Sequence, residues 1–384
     1  MSSMNQKAKT LTVALIFCVL TACGSGNNSE VAGAADPRTG SSGALASMIP
    51  VTRAQCTPFG NEPRPRNDLL DQVQTSATLC LGGSRLKDWV DGNGTTRRAC
   101  LFDPGTATAA QPLPLVVFLQ GSGVPLDVQL PFTNLVQGTT TADLTSDPAH
   151  RGFILLAPSG RITDHFYPAP NNQNTVGWDV WYRQFQPGSR TVNGVSYAPN
   201  ADFAALDHYI NEQVVSGKVD PDRIYVLGWS NGAALALEYG QNRANIAAVG
   251  MYSGPDPYDS LSDTCGQLPV VGAPRNDTEL QVFRPDVPVF HVQNNCDIYA
   301  TCPNGLALRD KLIAGDTVRS LRHQIIDGLP LQQATTTCND MCGSDPRGDA
   351  SNLMEKLVGT PNHLMWPSGW NNSYYEFLRD HPKR

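Results

Sequence analysis

Arg223-Ile224-Tyr225-Val226-Leu227-Gly228-Trp229-Ser230-Asn231-Gly232-Ala233-Ala234-Leu235-Ala236-Leu237 runs from an apolar stretch, through a serine set between glycines, into strong helix formers. The first six residues suit a buried strand, and the alanines and leucines after Gly232 suit a helix. The pattern G-x-S-x-G is common by chance. It gains meaning here because a strand leads in and a helix leads out, the setting of a strained turn that exposes the serine hydroxyl. Gly228 and Gly232 let neighbouring backbone approach that turn closely. A helix that begins directly beyond Ser230 also presents unbonded N–H groups and the positive end of its dipole to a developing anion.

Working outward, similar apolar runs occur at Pro114–Leu119, Gly152–Pro158 and Val287–Val292. Runs apolar on both faces suit parallel strands covered by helices on each side. Between the second and third strands, Phe203, Leu206, Tyr209, Ile210 and Val214 recur at helical spacing, with Asn200 as N-cap and Gly217 as stop. Further helices are expected over Asn231–Gln241 and Leu306–Ala314. Leu353–Val358 is the favoured last strand, and Leu321–Ile326 an additional or edge strand. Alternating strands and helices around such a serine turn predict an α/β-hydrolase fold, a mainly parallel central sheet with helices on both faces.

A serine hydroxyl needs a base, and the base needs an orienting acid. In this fold they follow in the order Ser, acid, His. Asp297 follows the Val287–Val292 strand and is the chosen acid; Asp327, after Leu321–Ile326, is the runner-up. Of the 7 histidines, His150, His165 and His208 precede the serine, His291 lies within a strand, His323 in an ambiguous segment and His381 in the polar tail. His363, in Thr360-Pro361-Asn362-His363, is left as the base. Gln120-Gly121-Ser122-Gly123 follows an early strand, where the second oxyanion donor belongs. The expected donors are the backbone N–H groups of Ser122 and Asn231.

The 384 residues are 40 % hydrophobic and 16 % charged, enough apolar content for a sizeable core. No basic stretch interleaved with aromatics points to nucleic acid. The first residues carry an address: Lys7 and Lys9 precede an apolar run, Leu11–Leu20, that falls short of the ~20 residues a bilayer span needs. It fits the core of a signal peptide. Leu20-Thr21-Ala22-Cys23 resembles the lipobox of bacterial lipoproteins, which makes residues 1–22 a signal and Cys23 the acylated residue of a membrane anchor. Gly24 rather than Asp after it favours the outer membrane. Residues 23–50 then read as a flexible Gly/Ser/Ala-rich tether, and 51–384 as the catalytic domain.

Eight further cysteines, Cys56, Cys80, Cys100, Cys265, Cys296, Cys302, Cys338 and Cys342, imply disulfides outside the cytoplasm. Cys296 and Cys302 flank the Asp297 loop and are expected to pair. Cys338 and Cys342 lack a matching pair at ligand spacing, so no metal is expected, and no cofactor motif is visible.

From Arg97 to Pro382 the chain resembles the poly(3-hydroxybutyrate) depolymerase-like esterases, a family that includes feruloyl and acetylxylan esterases. The resemblance rests on Pro114–Gly121, Gly177-Trp178-Asp179-Val180-Trp181-Tyr182, Val219–Val226 and the Ser230 turn. It continues through Ala247-Ala248-Val249 and the His363 region with Trp366-Pro367. It implies a triad of Ser230, Asp297 and His363, with Trp178, Trp229 and Trp366 binding an ester substrate. The chain departs from that family in carrying Gln120 where a histidine usually stands, Ala233 where a glycine is frequent, and two residues rather than one between His363 and Trp366. The Asp297–Cys302 and Met365-Trp366-Pro367 segments are also similar to oxidised poly(vinyl alcohol) hydrolases, which cleave β-diketones. The expected activity is an exported serine esterase. The alternatives are a β-diketone hydrolase and a lipid-anchored binding protein without catalysis.

Overall fold

The structure is a computed structural model. It describes residues 78–162 except 93, then 176–178, 190–192, 195–197, 200–254, 287–294, 308–309, 312–313, 320–326 and 363–383. Eight strands form one sheet: β1 (Ser84–Arg85), β2 (Ala99–Phe102), β3 (Leu113–Leu119), β4 (Ile154–Pro158), β5 (Val219–Trp229), β6 (Ala248–Tyr252), β7 (Val289–Asn294) and β8 (Leu321–Ile326). Their order is β1-β2-β4-β3-β5-β6-β7-β8. β2 runs antiparallel to both of its neighbours, and every other pairing is parallel. A single reversed strand in second place, one crossing of β3 and β4, and the serine after β5 make this the α/β-hydrolase fold.

The alternation of β3 shows why the sheet is covered twice. Leu113, Leu115, Val117 and Leu119 join one buried cluster, with α3 (Ala201–Val215) and α4 (Asn231–Asn242). Val116 and Phe118 join the other, with α1 (Leu126–Thr133), α2 (Leu135–Thr141) and α5 (Asn371–Asp380). All seven residues of β3 are buried. Each fully buried Leu, Val or Phe there contributes roughly 1.5–3 kcal/mol.

Local chemistry sets the helix ends. Asn200 caps α3, its Oδ1 accepting from Asp202 N (2.9 Å) and Phe203 N (3.1 Å). Asn134, left-handed at φ 56°, ends α1 and opens α2, a backbone state asparagine tolerates. The buried Arg97 guanidinium bonds to Asp202 in the first turn of α3 and to Asp91, pinning that helix to the chain before β2.

Several boundaries differ from expectation. β5 begins at Val219, four residues early, because its pairing with β3 resumes across a register shift between Val219 and Ile224. β4 starts at Ile154 rather than Gly152, which is held at φ 101° with its N–H on Ala142 O. β7 is displaced by two residues, to Val289–Asn294. Leu321–Ile326 is β8, at the end of the sheet order; the favoured Leu353–Val358 strand lies outside the described residues. Helical residues at 308–309 and 312–313 fall within the expected Leu306–Ala314 helix.

Candidate active site

Ser230 stands between β5 and α4 with φ 55° and ψ −121°. A side-chain-bearing residue pays for that backbone in strain, which persists only where surroundings enforce it. Here Ser230 N donates to Tyr252 O (2.9 Å), while Ala233 N donates to Ser230 O (2.9 Å). The two glycines answer to contacts. A Cβ on Gly228 would lie 2.2 Å from Gly232 O, and one on Gly232 would lie 2.3 Å from the carbonyl oxygens of Leu119 and Gln120.

The serine hydroxyl lies 2.8 Å from His363 Nε2. The two residues are 133 positions apart, and Trp229 helps bring them together: its Nε1 donates to His363 O at 2.8 Å. Beyond His363, Trp366 is wedged among Phe118, Trp229, Tyr252 and Tyr374, and its Nε1 donates to Asn371 Oδ1 (2.8 Å) at the start of α5. Asn371 Nδ2 in turn donates to Thr133 O (2.7 Å), so His363 is carried on a segment anchored to α1.

The 120–123 loop passes directly over the serine, with the Cβ position of Gly121 3.3 Å from Ser230 Cβ. Gly121 N donates to Gln129 Oε1 (2.8 Å). That bond occupies the Gly121 N–H, and Ser122, the residue expected to donate from this loop, follows it. On the other side, Asn231 N–H belongs to the first turn of α4, where a helix supplies it no acceptor. Gln120 is fully buried and braces the loop: Nε2 donates to Val124 O (2.9 Å), and Oε1 accepts from Gly160 N (3.3 Å).

Trp178, Trp229 and Trp366, expected against substrate, are 1 %, 3 % and 2 % exposed. Their indole N–H groups go to Gln120 O, His363 O and Asn371 Oδ1. In this structure the three rings hold pieces of the site in place. Gln129 was not singled out from the sequence, although a signal exists. It shares the buried face of α1 with Leu126, Leu130 and Thr133 at positions i, i+3, i+4 and i+7, where a glutamine needs a specific partner. Asp297, Asp327, Cys23 and the Cys296–Cys302 pair lie outside the described residues. Among the described residues no group of three His, Cys, Asp or Glu is disposed to hold a metal.

No protein-family model matches this chain, and no curated protein matches its sequence. Among solved structures it is similar to a thermostable esterase, with a TM-score of 0.43 and 15 % identity, covering 79 % of this chain and 64 % of that one. It is similar also to an S-formylglutathione hydrolase from Agrobacterium tumefaciens, with a TM-score of 0.44, 12 % identity, and coverage of 78 % and 96 %. A ferulic acid esterase gives a TM-score of 0.41 and 13 % identity over 64 % of this chain and 91 % of that one. The chain spans less than two thirds of the thermostable esterase's length. Likenesses this distant bear on neither substrate nor mechanism.

Proposed function

We propose that this chain is a serine hydrolase acting on carboxylic esters. The observation that carries the reading is the 2.8 Å approach of Ser230 Oγ to His363 Nε2 at a strained strand-to-helix turn. Ser230 Oγ attacks the acyl carbon while His363 Nε2 takes its proton. The carbonyl π pair moves onto oxygen, and that oxyanion is met by the N–H groups of Asn231 and Ser122. The oxyanion collapses, the C–O bond to the alcohol breaks, and the leaving oxygen takes the proton from His363. Water repeats the sequence on the acyl-enzyme and frees Ser230.

The acid in this scheme is Asp297. β7 ends at Asn294, three residues before it, and in this fold the acid follows that strand. The resemblance to depolymerase-like esterases favours polyester, aromatic or acetyl esters as substrates. In the same reading the protein is exported and anchored through Cys23. The Cys80–Cys100 disulfide supports an oxidising compartment.

A fluorophosphonate probe should label the wild type and not Ser230→Ala, and a panel of p-nitrophenyl, feruloyl and acetyl-xylan esters with polyester films should locate the substrate. An unlabelled wild type overturns the reading. Turnover of a β-diketone but no ester would move it to the diketone hydrolases. Cys23→Ser should leave specific activity unchanged and shift the protein from the membrane fraction to the soluble one; a soluble wild type overturns the anchor.

A further inference from the structure

We propose that Val176–Trp178 is a strut that sets the spacing of the two oxyanion donors, with Trp178 as its positioning residue; this rests on the serine-hydrolase reading. The segment lies outside the main sheet, paired with Arg161–Ile162 in a two-stranded ribbon, and it touches both halves of the oxyanion hole. Toward α4, the Asn231 carboxamide bonds to both backbone groups of Trp178. Oδ1 accepts from Trp178 N at 2.7 Å, and Nδ2 donates to Trp178 O at 3.2 Å. Toward the 120–123 loop, Trp178 Nε1 donates to Gln120 O at 2.8 Å, and Gly123 N donates to Val176 O at 2.8 Å. Asn231 carries one donor on its own backbone, and Ser122 lies between the two braced residues Gln120 and Gly123.

Three short residues therefore link one donor's residue to the loop that bears the other. The loop is seated a second time by Gln129, which accepts from Gly121 N. A hole of two N–H groups stabilises a tetrahedral oxyanion only when both point at one oxygen position, and misplacement by about 1 Å is enough to cost rate on the order of 10²-fold. With the ring 1 % exposed, Trp178 acts through Gln120 and Asn231 rather than by touching substrate.

Trp178→Phe keeps an aromatic ring in the core and removes the bond to Gln120 O. Asn231→Ala keeps its backbone donor and removes both bonds to Trp178. Each should lower kcat by about 10-fold with KM within about twofold, since the strut matters once the oxyanion forms. Affinity for a trifluoromethyl ketone, whose adduct with Ser230 bears that oxyanion, should fall by the same factor. Because the bonds are in series, the double variant should lose about as much as the worse single. Unchanged kcat and ketone affinity, whether or not Tm drops, overturns the strut. A loss confined to KM also overturns it and makes Trp178 a substrate wall. If Trp178→Phe fails to fold, Asn231→Ala decides alone. Failure of the underlying reading shows differently, as a wild type that no fluorophosphonate labels.

Discussion

His291 on β7 faces His323 on β8, ring centroids 5.4 Å apart, and among the described residues neither nitrogen of the His291 ring has a hydrogen-bond partner. The His291 ring is fully buried. Burial, with the neighbouring His323 and Arg309 adding to it, lowers its pKa from 6.5 to about 3. The unfolded chain therefore binds a proton near pH 6.5 that the folded chain refuses until about pH 3. This contribution is fully favourable above pH 6.5, and folding stability falls as pH drops through that window by roughly 1 kcal/mol per pH unit. His291→Leu should flatten the acid side of a Tm-against-pH curve. A curve as steep as that of the wild type would remove His291 as the cause.

Gly232→Ala should be severely damaging to the site. Its Cβ would meet two backbone carbonyls at 2.3 Å, and backbone cannot step aside as a flexible side chain can. The displaced parts are the 119–120 backbone, which leads into the loop of Ser122, and the first turn of α4, which begins at Asn231; these two residues carry the proposed oxyanion donors. We expect kcat/KM to fall by about 10²-fold or more, with a lower Tm. Near-normal turnover would show that the close approach is dispensable.

The choice of acid is open to a direct comparison. Asp297→Asn should lower kcat by a factor on the order of 10³–10⁴, because the imidazole loses its orienting charge. Asp327→Asn, following β8, should stay within about twofold of the wild type. The reverse outcome would move the acid to the end of β8 and leave Ser230 and His363 in their roles.

Joining Cys80 to Cys100 closes a loop of sequence separation 20 and ties the chain entering β1 to β2. By loop-closure entropy the bridge is worth about 3 kcal/mol. Reduction, or the paired change Cys80→Ser and Cys100→Ser, should lower the urea midpoint by a corresponding amount. An unaltered midpoint would mean the β1–β2 edge is not part of the cooperative unit.

The sequence was most readable where one residue type serves one purpose. The apolar runs of β3, β4 and β5 needed no partner to identify them, and Asn200 announced the start of α3. His363 emerged by elimination, and the structure brings it within 2.8 Å of Ser230. What stayed hidden depends on contacts between distant segments. Gln120 is bonded to Gly160 and Trp178, 40 and 58 positions away, and Gln129 to Gly121 in the neighbouring loop, and no periodicity encodes such partners. The tryptophans show the same limit: the resemblance implied substrate contacts, and nothing in the sequence signalled that their indole N–H groups bond to Gln120, His363 and Asn371. β8 was ambiguous for a plainer reason. Arg322, His323 and Gln324 interrupt its apolar pattern, as an end strand permits and a central one does not.

The bond from the Trp229 indole to the carbonyl of His363 has a mechanical consequence. Ser230 and His363 reach the site by separate routes along the chain, and thermal motion of one route would ordinarily open and close the gap between them. Because Trp229, the residue preceding Ser230, donates to the carbonyl of His363, displacement of the His363 segment pulls on the end of β5. The expected result is that the Ser230 and His363 side chains move as a pair, their separation varying less than either position does.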